Sequence, residues 1–307
     1  PGESYDYAHF EFIMRGVKEA VDAFPDKADH LSVSLHCETA EIMAAYTKLV
    51  EADPSLTGLE AYHRSRPPHS EGLAINIAAY LAYATGCPNI NLLHLSSAAA
   101  IDAALRMRGA FPEVDFRREV TIGHLVADIH SANGVYGKVN PPIRPREDVE
   151  ALWKAVLNDD VSWVVSDHAC CKEEMKVGEP KEDVFLAKSG FGGTEYLLSG
   201  LHTQAVKRGL PLHKIAELTS WNPAQRYGLL TKGDIAPGFD ADIALMDPNK
   251  SFTVHAEDSN STQEYTPFEG HELTGSIDHV FLRGHLILRD GVVTGSPQGE
   301  YQKRPTG

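Results

Sequence analysis

Three side chains able to bind a metal lie at the ends of apolar runs in this sequence. His36 closes the run LSVSLH, His94 lies near the end of INLLHLSS, and Asp167 follows VSWVVS. Two imidazoles and a carboxylate suit zinc or a related divalent ion. Such an ion lowers the pKa of a bound water molecule and polarises a carbonyl group, which favours hydrolysis. The three residues therefore indicate a metal site of hydrolytic type.

The elements that must position these side chains alternate between strand and helix. Apolar runs predict strands at 31–36, 90–97, 114–120 and 161–168. Helical spacing predicts helices at 7–24, 38–52, 70–85, 98–108, 194–208 and 212–219, and one more that follows the turn at 140–148 and ends at Leu157. This alternation indicates a parallel sheet covered by helices. Since the carboxyl ends of parallel strands carry the chemistry in such folds, we expect the three side chains to converge.

The last part of the chain has a different pattern. From about Asp240, the segments DADIALMD, SFTVHA and SIDHVFLRGHLILRDGVV contain strands and turn signals without helices between them. We therefore predict an α/β domain over residues 1–239 and a small antiparallel β domain over residues 240–307.

Composition restricts the class of partner. The 307 residues carry 28 Lys and Arg against 43 Asp and Glu, a net charge of −15, which argues against nucleic acid and anionic membranes. No apolar run approaches the roughly 20 residues of a membrane helix. Four cysteines in a chain of this length do not form a disulfide framework, so a cytoplasmic location is expected.

Other candidates have simpler interpretations. His69 and His124 do not close apolar strands, and structural or surface roles are favoured for both. The adjacent pair Cys170 and Cys171 could indicate thiol chemistry. Neighbouring cysteines are poorly placed to bridge each other and no Cys-x-x-Cys spacing is present, so the pair is interpreted as packing or pocket wall.

The sequence resembles the cyclic amidohydrolases, the group that contains allantoinase, dihydroorotase and hydantoinase (dihydropyrimidinase). The resemblance extends through essentially the whole chain and rests on these segments, in this order: SLHCETAEI, SRPPHSEGLAI, LLHLSSAAAI, GKVNPPIRPREDVEALW, VVSDHA, WNPAQRYGL, KGDIAPGFDADIALMD and EYTPFEGHELTGSIDHVFLRG. Each segment is moderately specific, and their order is a stronger indication than any one of them. The resemblance implies the C-terminal part of a (β/α)8 TIM-like barrel, about four βα units, with part of a small β-sandwich domain.

The resemblance also implies roles for the strand-end residues. His36 and His94 match the two imidazoles that bind the second of two metal ions, for which zinc is expected. Asp167 matches the carboxylate that binds the first ion and acts as general acid and base. His168 is expected to support these ligands without binding the metal itself.

Substrate contacts are implied further along the chain. Asn140, before PPIR, matches a position whose backbone contacts the substrate ring. Ser189 and Gly190 begin the segment, through Gly193, that is expected to close over the ring. Cys171 occupies a position where dihydroorotases usually have histidine and allantoinases tend to have cysteine. The expected reaction is therefore ring opening of a cyclic ureide, as in allantoinases, with dihydroorotase and hydantoinase as alternatives.

Two marks of the group are missing. The His-x-His pair and the carboxylated lysine would fall near or before Pro1, so the chain is expected to be the C-terminal half to two-thirds of a longer protein, or to obtain the missing half from another chain. A closed barrel needs eight strands, which makes a homo-oligomer the expected state. The alternatives from other classes are an inactive fragment or scaffold-type homologue and a non-catalytic domain that binds a small molecule.

Overall fold

The computed structural model describes residues 6–304, and two four-stranded sheets organise them. The parallel sheet has the order β1 (Val33–Leu35), β2 (Asn89–Leu92), β3 (Asp115–Thr121) and β4 (Trp163–Val165). The antiparallel sheet has the order β5 (Ile243–Thr253), β6 (Glu272–Leu282), β7 (His285–Arg289) and β8 (Val292–Val293). Both sheets expected from the sequence are therefore present.

Helices connect and cover the parallel strands. The α-helices are α1 (Tyr7–Ala23), α2 (Ala40–Glu51), α3 (Gly58–Ser65), α4 (Pro68–Thr85), α5 (Ala98–Ala110), α6 (Ile122–Val126), α7 (Arg146–Leu157), α8 (Glu173–Lys176), α9 (Leu197–Arg208), α10 (Leu212–Ala216) and α11 (Asn222–Tyr227). Short 3-10 helices occupy Pro25–His30, Gly134–Gly137, Thr194–Tyr196 and Ala256–Asp258, and a π-helix occupies Glu217–Trp221. Within residues 6–304, no helix combines the length and apolar character needed to cross a bilayer.

The register of the parallel sheet aligns its carboxyl ends. Leu35 pairs with Leu92 in β1 and β2, and Thr121 pairs with Val165 in β3 and β4. All four residues of β2 are buried because β2 lies between two strands and under helices. The loops that follow the strands therefore emerge at one edge of the sheet.

The core lies between the parallel sheet and the helices around it. Its largest fully buried side chains include Trp153, Trp163, Tyr62 and Phe116. Helices α4 and α5 pack closely against each other through small residues such as Ala79 and Ala103, whose side chains are buried. This apolar layer fixes the position of the parallel sheet relative to the helices.

Helix α9 ties the antiparallel sheet to the rest of the molecule. Ser199 donates to the carbonyl oxygen of Gly275 at 2.5 Å, and the hydroxyl oxygen of Thr203 accepts from the N–H of Thr274 at 2.7 Å. His202 Nδ1 lies 3.0 Å from the carbonyl oxygen of Thr274. These bonds satisfy backbone groups of β6 that would otherwise be buried without partners.

One segment differs from the sequence prediction. The sequence predicts no helix between 52 and 70, with SRPPHSEG as a loop before the helix at 70–85, but α3 occupies Gly58–Ser65 and α4 already begins at Pro68. Proline is tolerated in the first helical turn because no intrahelical partner is needed for its missing N–H. The connection between the two helices is therefore limited to Arg66 and Pro67.

Candidate functional site

His36 and His94 face each other at the carboxyl ends of β1 and β2. His94 Nε2 is in hydrogen-bond contact with His36 Nδ1, and the ring centroids are 4.4 Å apart. His94 is buried whereas His36 is exposed. Burial, and secondly the neighbouring His36, lower the pKa of His94 to about 3. His94 is therefore a neutral imidazole at pH 7.

His94 and Asp167 share an unusual backbone conformation. Their φ angles are 37° and 48°, in the left-handed region that residues other than glycine rarely adopt. Asp167 follows β4 and is exposed. Burial raises the pKa of Glu119, and the charge of Asp167 acts in the same direction, so the two carboxyl groups are close enough to interact. Asp167 thus lies on the edge that also carries the histidine pair.

The donor chemistry of the histidine pair fits a divalent transition-metal ion, since such ions bind neutral imidazole. The number of ligands is smaller than a complete site needs. Among residues 6–304, no group of three or more His, Cys, Asp or Glu side chains is arranged to hold a metal ion. The structure therefore brings His36 and His94 together and leaves Asp167 outside that pair.

Glu119 was not identified from the sequence as a site residue. Its carboxylate accepts from the N–H of His94 at 3.2 Å and from the indole N–H of Trp163 at 2.8 Å. No sequence pattern distinguished this glutamate, because VDFRREV indicated only a strand. The signal is structural: the Glu119 side chain is buried in a strand, and a buried carboxylate needs a specific partner.

Tyr62 connects two of the residues that the sequence predicts to bind substrate. Its hydroxyl donates to Asn140 Oδ1 and lies 3.1 Å from Ser189 Oγ. Asn140 and Ser189 are both exposed, while Tyr62 is buried. The guanidinium of Arg66 stacks over the Tyr62 ring at 4.1 Å from its centroid. Segments distant in sequence are thus joined beside the sheet edge by one phenol, which the sequence analysis missed.

Both backbone groups of Gly190, the N–H and the carbonyl oxygen, form hydrogen bonds. Its N–H donates to the carbonyl oxygen of Lys138 at 2.9 Å, and its own carbonyl oxygen accepts from Lys176 Nζ at 2.7 Å and Tyr265 Oη at 3.2 Å. Its φ of 109° lies in the region that favours glycine, and a Cβ there would collide with the carbonyl of Ala169. The conformation of the loop therefore depends on this glycine.

His168 and the cysteine pair lie beside the same loop. The Nδ1 atom of His168 faces the N–H groups of Gly193 and Thr194 at 3.3 Å and 3.5 Å, and Nε2 lies 3.2 Å from Cys170 Sγ. Cys171 Sγ lies 3.9 Å from Tyr265 Oη. The four cysteines of the chain are free thiols. His168 thus contacts the loop segment around Gly193 through its ring.

The two other histidines considered from the sequence lie in different surroundings. His124 is buried, with Nδ1 2.8 Å from Thr121 Oγ1 and Nε2 3.1 Å from the carbonyl oxygen of Pro141. His69 is exposed and its ring meets the edge of Tyr46 at 5.4 Å between centroids. Both ring nitrogens of His124 are engaged within the protein, as a structural role requires.

Known proteins share both sequence and fold with this chain. It is 36% identical over 277 residues to the allantoinase of Rubrobacter xylanophilus and, over the same length, to that of Desulfitobacterium hafniense, covering 88% of this chain and 59% of each relative. An L-hydantoinase (dihydropyrimidinase) from Arthrobacter aurescens superposes with a TM-score of 0.86 at 26% identity, covering 96% of this chain and 64% of that one. A D-hydantoinase from a Thermus species gives 0.84 at 28% identity, covering 95% and 62%.

The chain thus spans 59% of the length of these allantoinases. The model of the amidohydrolase family matches residues 16–287, which include the parallel sheet, β5 and β6 of the antiparallel sheet, and every residue of the candidate site. The chain belongs to the amidohydrolase family.

Proposed function

We propose that this chain forms part of a metal-dependent hydrolase that opens a cyclic ureide, as the related allantoinases are named for doing. The observation that carries this proposal is the facing pair His36 and His94 at the carboxyl edge of a parallel sheet. The four parallel strands would be the C-terminal part of a (β/α)8 barrel over residues 1–239. Residues 240–307 would contribute part of a small β domain.

His36 and His94 would hold a divalent ion, for which zinc is the proposed identity. When bound, that ion supplies polarisation of the amide carbonyl. Burial keeps the His94 imidazole neutral, the form that can ligate. The remaining ligands would include Asp167, which lies on the same edge.

Asp167 would act as the general acid and base. Its exposed carboxylate is free to take a proton from the attacking water and to give it to the leaving ring nitrogen. The backbone is compatible with this role, because Asp167 has left the extended conformation of β4, with a φ of 48°, two residues after the strand ends. His168 would hold the loop beside Asp167.

Asn140, Ser189 and Gly190 would bind the substrate ring. They lie on segments fixed by Tyr62, Lys138 and the left-handed conformation of Gly190. A preformed loop is an advantage, since ordering it on binding would cost free energy. Cys171 would form part of the pocket wall.

Two classes of candidate substrate are favoured by different observations. Sequence identity of 36% to allantoinases favours allantoin. Structural similarity to hydantoinases, with TM-scores of 0.84 and 0.86, supports hydantoin or dihydrouracil as the alternative. Dihydroorotate remains a third candidate from the sequence resemblance.

A substrate panel tests the proposal. Allantoin, dihydroorotate, dihydrouracil and hydantoin are incubated with the purified native protein and zinc, and ring opening is followed. We expect turnover of allantoin, and its loss in Asp167→Asn. Asp290→Asn is the matched control, because Asp290 is also exposed with a φ of 51° but lies in the turn between β7 and β8. Absence of turnover with all four compounds would favour a scaffold-type protein.

A further inference from the structure

The backbone at His94 is held by a single residue of the neighbouring strand. The backbone carbonyl oxygen of Glu119 in β3 accepts from the backbone N–H of Leu95 at 2.8 Å. The Glu119 carboxylate accepts from the backbone N–H of His94 at 3.2 Å. His94 has a φ of 37°, a conformation that persists only where its surroundings enforce it. Glu119 supplies that enforcement at two successive peptide groups.

The other carboxylate oxygen of Glu119 faces the next strand. It accepts from the indole N–H of Trp163 in β4 at 2.8 Å, and the Trp163 side chain is fully buried. Glu119 itself is 7% exposed. The carboxylate therefore spans from His94, two residues after β2, to β4, the strand that precedes Asp167, and it uses one oxygen for each side.

We propose that Glu119 is a positioning residue for the metal site. Its carboxylate fixes the His94 imidazole opposite His36 by accepting from the backbone N–H of His94 and the indole N–H of Trp163 at once. The inference rests on the proposed function, since it concerns the same histidine pair. A purely structural glutamate would need only burial and any two donors. Here one donor belongs to the strained residue whose ring forms half of the pair.

The chemistry of the side chain makes the inference testable. A carboxylate offers two acceptors, whereas an amide offers one acceptor and one donor. In Glu119→Gln, either His94 or Trp163 must therefore direct its N–H at an NH₂ group. The conflict disappears when Trp163 is replaced by phenylalanine, because the amide oxygen is then free to accept from His94.

Zinc titration by calorimetry on the 307-residue chain, with thermal unfolding of the same samples, provides the measurement. We expect Glu119→Gln to weaken zinc binding about 10-fold to 100-fold, the range for residues that orient a metal ligand. Trp163→Phe keeps the acceptor at His94, so its zinc affinity should stay within about 2-fold although its Tm falls through lost packing. The double variant Glu119→Gln/Trp163→Phe should recover most of the lost affinity.

Each result separates this inference from the proposed function. If the wild-type chain binds zinc and Glu119→Gln binds it equally well, the inference is wrong while the metal site stands. Loss of affinity in Glu119→Gln without recovery in the double variant contradicts the two-acceptor mechanism. If the wild-type chain and His36→Ala both fail to bind zinc, the proposed metal site is wrong, and the inference is overturned with it.

Discussion

At the scale of single residues, two of the three metal-capable residues chosen from the sequence have an unusual backbone conformation. Six non-glycine residues among those the structure describes have positive φ, and His94 and Asp167 are two of them. Such conformations cost of the order of 1–3 kcal/mol and occur often at functional sites. Two of the three residues chosen from the sequence for their ligand chemistry, His94 and Asp167, are thus also residues at which the fold accepts strain.

Removing the Tyr62 hydroxyl should loosen the substrate side of the site. In Tyr62→Phe the ring and its contact with Arg66 remain, but the hydrogen bonds to Asn140 and Ser189 are lost. We expect the free energy of unfolding to fall by about 1 kcal/mol, the net value of a typical hydrogen bond. Urea denaturation of the chain measures this fall.

The matched control is Tyr301→Phe, since Tyr301 is 87% exposed and should contribute nothing to the free energy of unfolding. In the active protein, Tyr62→Phe should raise KM more than it lowers kcat, because it disturbs binding residues and leaves Asp167 in place. Equal denaturation midpoints for wild type and Tyr62→Phe would show that the phenol does not join these segments.

The sequence indicated the candidate residues His36, His94 and Asp167 but not the residues that contact them. His36, His94 and Asp167 could be predicted because each follows an apolar run, which is a local pattern. Glu119 and Tyr62 could not, because their partners are 25 to 127 residues away. Contacts across such separations exist only once the sheet has brought its strands together.

At the scale of elements, three of the four parallel strands are shorter than the sequence indicated, and the site residues explain the difference for two of them. The strand predicted at 90–97 ends at Leu92, and the strand predicted at 161–168 ends at Val165. His94 and Asp167 leave the β region of backbone conformation soon after each end. Apolar composition predicts where a strand lies but not where the backbone turns away to present a ligand.

The loop after Ala187 should depend on Gly190. Replacing it with alanine places a Cβ against the Ala169 carbonyl at a φ of 109°. We expect Gly190→Ala to lower the free energy of unfolding by about 1–3 kcal/mol. Gly16→Ala is the control, because Gly16 lies inside α1 with no atom near the added methyl group, and alanine there should stabilise the helix by about 1 kcal/mol. A neutral Gly190→Ala variant would mean that the loop has an alternative path.

Lys176 should make stability depend on pH. It is fully buried, it donates to the carbonyl oxygens of Lys138 and Gly190, and burial lowers its pKa to about 7. In the unfolded chain its pKa is about 10.4, so between about pH 7 and 10 the unfolded state binds more protons than the folded state. The free energy of unfolding should therefore rise with pH across this window through Lys176.

Denaturation at several pH values measures that slope. Lys176→Met should make it shallower, and the rise that remains is expected from Lys138, whose pKa is lowered to about 8 by burial. Lys207→Met removes an exposed lysine and controls for the loss of a lysine as such. A slope that Lys176→Met leaves unchanged would show that the ammonium group is not penalised by burial.

At the scale of the whole molecule, the two sheets and the longer helices could be predicted from pattern, while the contact between His36 and His94 could not. Alternating apolar and helical segments define a parallel sheet whether it has four strands or eight. The family resemblance supplied the expectation of a larger barrel, and the length of the allantoinase relatives agrees with it. Only geometry shows that His36 and His94 meet, and that no group of three or more metal-capable side chains forms among residues 6–304.

The outer surface of the parallel sheet leads to the last prediction, which concerns association. β1 is an edge strand, and the groove between α1 and α4 is lined by apolar side chains that include Tyr7, Leu81 and Tyr80, the last 61% exposed. Open edges and apolar grooves favour pairing with another chain. We expect the 33.6 kDa chain to form a homo-oligomer in which a second copy covers this groove.

Light scattering with size-exclusion chromatography at several protein concentrations measures the mass. Tyr80→Lys should shift the population towards the monomer, because it places a charge in an interface that must lose water. Val293→Lys is the control: Val293 is 66% exposed but lies in β8 of the other sheet, so the mass should not change. A concentration-independent mass of one chain for the wild type would contradict association, and an equal response to both substitutions would mean that the groove is not the interface.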